Sequence, residues 1–245
     1  MDCTTWTGQL DDRRPLRRHF KNKLPHLGLF RINEAVATDT VFPAEKIQDF
    51  NGNSCAQIFV GMTTKHVYCV LMKSEKEGPA ALQDFIRDVG VPTRIHHDRS
   101  KMQLGRKFRK ICRDCHIKTT TTEAHHPNQN FAERIIQEIK KRERFFINVG
   151  NAPPQAWGHA FLHATWCYNR TANSSNGAQT PSEALWGETP DLSPLQFRFH
   201  KPFAYLDSTT RSPNHNKQIG WFICVAENVG SPCTFWIKRQ WSDNW

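Results

Sequence analysis

The chain has no apolar run long enough to cross a membrane. Nothing in its 245 residues approaches the roughly eighteen consecutive apolar residues that a spanning helix needs. The opening stretch, MDCTTWTGQLDDRRPLRRHF, lacks the apolar core of a secretory signal. These absences point to an intracellular protein whose eight cysteines are reduced, and in which the sequons at Asn169 and Asn173 mean nothing. No glycine-rich phosphate loop is present, and no local context suggests a serine or cysteine nucleophile beside its base. Internal repeats and long low-complexity tracts are missing as well. Acid is scarce relative to base: 23 Asp and Glu stand against 33 Lys and Arg, a net charge of +10. That excess suggests a polyanionic partner such as nucleic acid and says nothing about fold.

What is present reads as one domain with an appendage. Residues 1–35 are polar and basic, with Arg13, Arg14, Arg17, Arg18, Lys21 and Lys23 crowded together, an arm or linker. From Val36 to Phe42 the chain alternates like a half-buried strand with Asp39 at its centre. Ala56–Met62 and His66–Met72 read as a hairpin across Thr63-Thr64-Lys65. A helix follows over Glu77–Val89, closed by Gly90, then a short strand over Pro92–His97 that ends at Asp98. Gln103–Cys115 is a basic amphipathic helix with Leu104, Phe108, Ile111 and Cys115 facing inward, Ile117–Thr122 is a further strand, and Gln155–Asn169 is a later helix with prolines placed to start it. The order predicts an α/β layer with a mixed five-stranded sheet flanked by helices over 36–195. Aromatic alternation in Phe197-Arg198-Phe199 and Phe203-Ala204-Tyr205, then Ile219–Ala226 and Cys233–Lys238, predicts a small antiparallel β module over 196–245.

The stretch Glu123–Arg144, EAHHPNQNFAERIIQEIKKRER, organises the rest. At about 100° per residue, Phe131, Ile135, Ile139 and Phe146 form one buried stripe. Glu133, Gln137, Lys140, Lys141 and Arg144 share the opposite side. Two readings stand open: an exposed helix laced with i,i+4 ion pairs, or a metal-binding carboxylate beside a phosphate-binding ridge. The choice turns on whether other carboxylates share the place. Asp39 lies in the first strand and Asp98 at the end of the fourth. If those strands are neighbours, the two acids converge at one edge and the helix can bring Glu133 over them. Bare carboxylates about 4 Å apart repel by about 4 kcal/mol at an effective dielectric near 20, so such a cluster needs protons or cations. Oxygen-only ligation with open positions suits Mg²⁺ or Mn²⁺ rather than Zn²⁺. Two such ions can hold the attacking and leaving oxygens of a phosphodiester displacement.

The set Asp39, Asp98 and Glu133 resembles the DDE triad of retroviral and retrotransposon integrases. HHPNQNFAER at 125–134 is similar to the His-Pro, Gln-Asn, Glu-Arg pattern of their core, and TDTVFP at 38–43 to their first-Asp strand. TPSEALWGETPDLSPL at 180–195 and GWFICVAENVGSPCTFWI at 220–237 resemble the stretches that follow the core in Ty1/copia-type elements. The resemblance implies an RNase H-like catalytic core and two Mg²⁺ (or Mn²⁺) ions, with Asp39 bridging both and Asp98 and Glu133 each completing one. It implies DNA 3′-end processing and strand transfer, element ends and target DNA as partners, a homo-oligomer on DNA, no membrane, and a nuclear site of action in a eukaryote. Lys140 and Lys141 are the first DNA-contact candidates, Gln129 and Asn130 the next, with Arg144 continuing the ridge.

The chain departs from that pattern in three places. Before Asp39 only Cys3, His19 and His26 are present, too few for a His-His-Cys-Cys zinc module. Asp98 is followed by Arg99-Ser100-Lys101, so cations stand beside the expected metal site. Phe131 occupies a position where Gly or Pro is common. Two other readings therefore accompany the integrase one: a DNA-binding remnant without catalysis, and a metal-dependent nuclease or DNA transposase of the same fold. The chain also reads as a piece of a longer polyprotein or a single-gene remnant. The CxxCH spelling at Cys112–His116 is set aside as haem attachment or zinc site, because a basic helix entering a core strand explains it as one buried and one surface cysteine.

Overall fold

A computed structural model describes residues 28–44, 46–97, 105–121, 131–172, 174–206, 217–226 and 235–238. The main sheet has the order β3-β2-β1-β4-β5, built from β1 (Ala35–Val41), β2 (Cys55–Gly61), β3 (Val67–Met72), β4 (Arg94–His97) and β5 (Lys118–Thr121). The β1–β2 and β2–β3 pairs are antiparallel, whereas β4 pairs in parallel with both β1 and β5. A short Thr-Thr-Lys link suffices for the hairpin, while each parallel pairing is bought with a crossover helix. Those crossovers are α1 (Gly78–Asp88), between β3 and β4, and α2 (Arg106–Asp114), between β4 and β5. Then come α3 (Phe131–Gly150), α4 (Trp157–Asn169) and the short α5 (Pro181–Trp186). Thr180 caps α5, its hydroxyl accepting from the Glu183 N–H.

Alternation along the strands separates two cores. Val36, Cys55, Phe59 and Met72 pack with Leu82, Phe85 and Phe108 under α1 and α2. On the other face Val41, Ala56, Ile58 and Val60 pack with Ile135, Ile136, Ile139 and Phe161 under α3 and α4. Both sides of β2 are thus apolar and all seven of its residues are buried, as a central strand between two helical layers requires. The outer strand β3 has its edge blunted by one side chain. Asn169 accepts from the Val67 N–H (2.9 Å) and donates to the Val67 carbonyl (2.7 Å), as a neighbouring strand would. α4 approaches the Asp49 turn closely at Gly158, where a Cβ would lie 2.5 Å from Asp49 Oδ2. Asp49 is itself satisfied by the Asn51 and Asn53 N–H groups and the Asn53 amide.

A second, antiparallel sheet of order β6-β7-β8 comprises β6 (Pro202–Leu206), β7 (Lys217–Val225) and β8 (Phe235–Lys238). It packs on α4 through Phe222, Ile223 and Cys224 against Ala156, Ala160 and Trp166, with Phe199 and Phe197 filling the seam. The expected mixed sheet with a small β module is therefore the fold, and the module shares a core with the last long helix. Three local expectations are corrected. Phe197-Arg198-Phe199 is no strand: a 3-10 turn, Ser193–Gln196, runs into a tight turn, and both rings point into the seam. The helix expected from Gln155 opens as a 3-10 turn, Pro154–Ala156, before α4 starts at Trp157. Cys112 and Cys115 are both buried, because Cys112 lies against the α1–α2 core beside Phe108.

Candidate active site

Asp39 sits in the middle of β1, opposite Ile58 on β2. Ile58 belongs to the cluster closed by α3 and α4. Partners across a strand pair point to the same side of the sheet, so Asp39 shares the α3 face rather than the α1–α2 face. It is half-buried, and its Oδ1 accepts the Thr40 N–H at 2.7 Å. Glu133 lies exposed in the first turn of α3. That helix packs on the same face through Ile135, Ile136 and Ile139; Ile136 widens the expected stripe toward α4. β4 is the parallel neighbour of β1, with Thr38 and His97 as the last Cα partners. Asp39 and Asp98 are the next residues after that pair. Asp98 itself lies outside the described residues, as do Gln129 and Asn130. Among the described residues no three His, Cys, Asp or Glu side chains are grouped as a metal would need.

Beyond Glu133 the helix divides its cations between two tasks. Arg142 is committed to structure: its Nε donates to Glu138 at 3.0 Å, and its guanidinium lies 5.5 Å from the Tyr168 ring. Gln137, Lys141 and Arg144 are exposed and keep the face expected of a phosphate-binding ridge. Lys140 is half-buried instead. It lines a cavity of about 230 Å³ together with Glu143, Arg144 and the loop after β1. Burial there pushes the Glu143 carboxyl up to about 7, against the opposing pull of Arg144 and Lys140. Sequence reasoning missed Glu143, since along the helix it looks like one more solvated charge; residues distant in sequence, among them Phe42, Pro43 and Ile47, share its cavity.

The raised carboxyl has a stability consequence. Folding favours protonated Glu143, so this contribution is complete below its ordinary 4.5 and is lost as pH rises through about 7. Glu143→Gln is therefore expected to stabilise the protein at pH 8 by about 1–2 kcal/mol, after discounting for partial exposure, and to do little at pH 4.5. Thermal melts at the two pH values check this; an equal shift at both would contradict it.

No family model matches the chain. Among solved structures it is similar to the HTLV-2 integrase catalytic core domain in complex with magnesium, in its trimeric form. That match has 21% identity and a TM-score of 0.50 over 64% of this chain and 99% of that one. The catalytic core domain of BIV integrase matches at 16% identity and a TM-score of 0.51, over 64% and 95% of the two chains. A third match is to the simian T-cell lymphotropic virus intasome in complex with PP2A regulatory subunit B56 gamma. There identity is 17% and the TM-score 0.53, over 88% of this chain and 81% of the other. At these identities the likeness establishes the fold: the chain has the architecture of retroviral integrase catalytic cores. No helix among the described residues is long and apolar enough to cross a membrane.

Proposed function

We propose that the chain is an integrase-type polynucleotidyl transferase of a Ty1/copia-like retroelement. Asp39, Asp98 and Glu133 would hold two Mg²⁺ or Mn²⁺ ions, and the element's DNA ends and target DNA would be the substrates. The observation that carries this reading is the placement of Asp39. It stands on the sheet face packed by α3, whose first turn bears Glu133, and on the strand that pairs in parallel with β4, after which the sequence continues with Asp98. The donor chemistry fits the ions. Asp39 and Glu133 are hard oxygen donors, and neither belongs to an apolar core. When bound, the metal pair supplies electrostatic stabilisation for in-line displacement at phosphorus. The protein's part is to fix the carboxylates on a rigid strand and helix and to bind the DNA backbone with Lys140, Lys141 and Arg144, joined by Gln129 and Asn130. The resemblance also supports a homo-oligomer on DNA and nuclear action in a eukaryote.

A DNA-binding protein without catalysis is the second reading, favoured by Arg99 and Lys101 beside Asp98. A single assay separates the possibilities: incubate the chain with a labelled duplex end, a target plasmid and Mg²⁺, and resolve the products. Joined donor–target DNA that disappears with a chelator is the expected result. Cleaved ends with none joined would make it a nuclease. No metal-dependent product, together with salt-sensitive DNA binding, would make it the remnant.

A further inference from the structure

The cavity beside α3 has a composition that the metal site does not explain. Its walls are apolar and include the rings of Phe42, Trp157 and Phe161. Phe161 and Trp157 are buried, and Trp157 is locked by its indole N–H donating to the Ile47 carbonyl at 3.0 Å. Phe42 is 48% exposed, so one ring of the lining is open to an incoming group. Among the described residues the charged groups lining it are Glu143, Lys140 and Arg144, all from α3.

Each feature narrows the ligand. At about 230 Å³ the space is below the roughly 300–1,000 Å³ of pockets for drug-sized molecules, which suits one planar ring system. Aromatic walls favour a π-face. Two cations against one carboxylate favour a ligand tethered to an anion. A carboxyl poised in an apolar wall favours a partner with hydrogen-bonding groups in its ring plane. A fatty chain satisfies only the apolar walls, and a hydrophobic amine is repelled by the two cations. Glu143 lies ten residues beyond Glu133, about 15 Å along the helix or roughly four base-pair rises of duplex.

Resting on the DNA-acting reading above, we propose that this cavity receives a single unpaired nucleobase of bound DNA. The base lies against Phe42 and Trp157, its amino or imino edge donates to Glu143, and its phosphate is held by Lys140 and Arg144. The site thus reads a strand that is locally unpaired a few nucleotides from the catalytic carboxylates.

The test uses the full chain and two 20-mer duplexes, one fully paired and one carrying a single central unpaired adenine. Both are titrated by fluorescence anisotropy at one fixed salt concentration. The expected result is about tenfold tighter binding of the bulged duplex, the order of one base–aromatic stacking contact. Ala44 lines the cavity and is exposed, so Ala44→Trp should block the space without disturbing the core. It should abolish the preference while leaving paired-duplex affinity within about twofold, and Glu143→Ala should cut the preference to less than about threefold. Equal binding of the two duplexes by the parent chain would overturn the proposal and leave the DNA-acting reading standing. A preference that survives Ala44→Trp would overturn it too, as bending of the bulge rather than occupancy of the cavity. Absence of binding to either duplex would overturn both readings.

Discussion

Asp39→Asn and Glu133→Gln are each expected to abolish metal-dependent DNA joining, by on the order of a thousandfold, while salt-sensitive DNA binding stays within about twofold. Both changes preserve shape and remove one negative charge. An asparagine at 39 can still accept the Thr40 N–H that Asp39 accepts now, so the strand has no local reason to shift. Glu133 is exposed in the first turn of α3, and its amide costs little there beyond a modest loss of favourable charge at a helix start. A neutral amide, however, is a poor anchor for a hard divalent ion, and lost charge cannot be supplied by the surrounding cations. Where the three acids converge as proposed, removing one also relieves repulsion, so the variants should melt no lower than the parent without metal, and the parent alone should gain stability from Mg²⁺. Joining activity equal to the parent's in either variant would defeat the catalytic assignment. Activity lost together with DNA binding and melting temperature would mean that the carboxylate was structural.

How much of this was legible in the sequence depends on how local the determining physics was. Asp39 stood out because a carboxylate in the middle of an alternating apolar strand runs against propensity, and the structure puts that strand between β2 and β4. The α3 stripe was readable because Ile135 and Ile139 recur at helical spacing; Ile136 was not, because it is buried only where α4 arrives alongside. Phe197-Arg198-Phe199 shows the reverse failure. Period-two alternation signals that alternate residues share a side, and a turn that tucks two rings into a seam produces the same pattern without a strand. The cavity at Glu143 had no sequence signal at all, since its walls come from stretches far apart in the chain, such as residues 41–44, 140–147 and 154–161. Of the three acids, Asp98 lies outside the described residues, so their convergence remains the proposal that the substitutions above test.

His163 joins the main α/β layer to the small sheet, and it makes that junction sensitive to acid. Its imidazole lies 4.7 Å from the Phe146 ring, stacks on Trp166 at 6.2 Å and on Phe199 at 5.7 Å, and meets Phe222 edge-on at 5.6 Å. It is 2% exposed, with its Nε2 near the Cys167 thiol and no partner on Nδ1. An imidazolium there would be a charge in an aromatic box, so burial pushes His163 down to about 4. Burial, with Arg170 nearby, does the same to His66. A depressed histidine stabilises the fold fully above its ordinary 6.5, and that contribution is lost as pH falls from there toward about 4. His159, His96 and His200 shift in the same direction. Glu143 works oppositely over part of this range, by about 1–2 kcal/mol. Buried His163 at about 2–3 kcal/mol, with half-buried His66 adding a smaller amount after discounting for its exposure, outweighs it. Asp88, held low chiefly by Arg87, acts only below this window. The melting temperature is therefore expected to fall by roughly 10 °C between pH 7 and pH 4.5. His163→Phe keeps an aromatic ring in the box and removes the titration, so it should recover about half of that fall. A melting curve whose pH dependence is unchanged in His163→Phe would show that the junction does not carry the acid sensitivity.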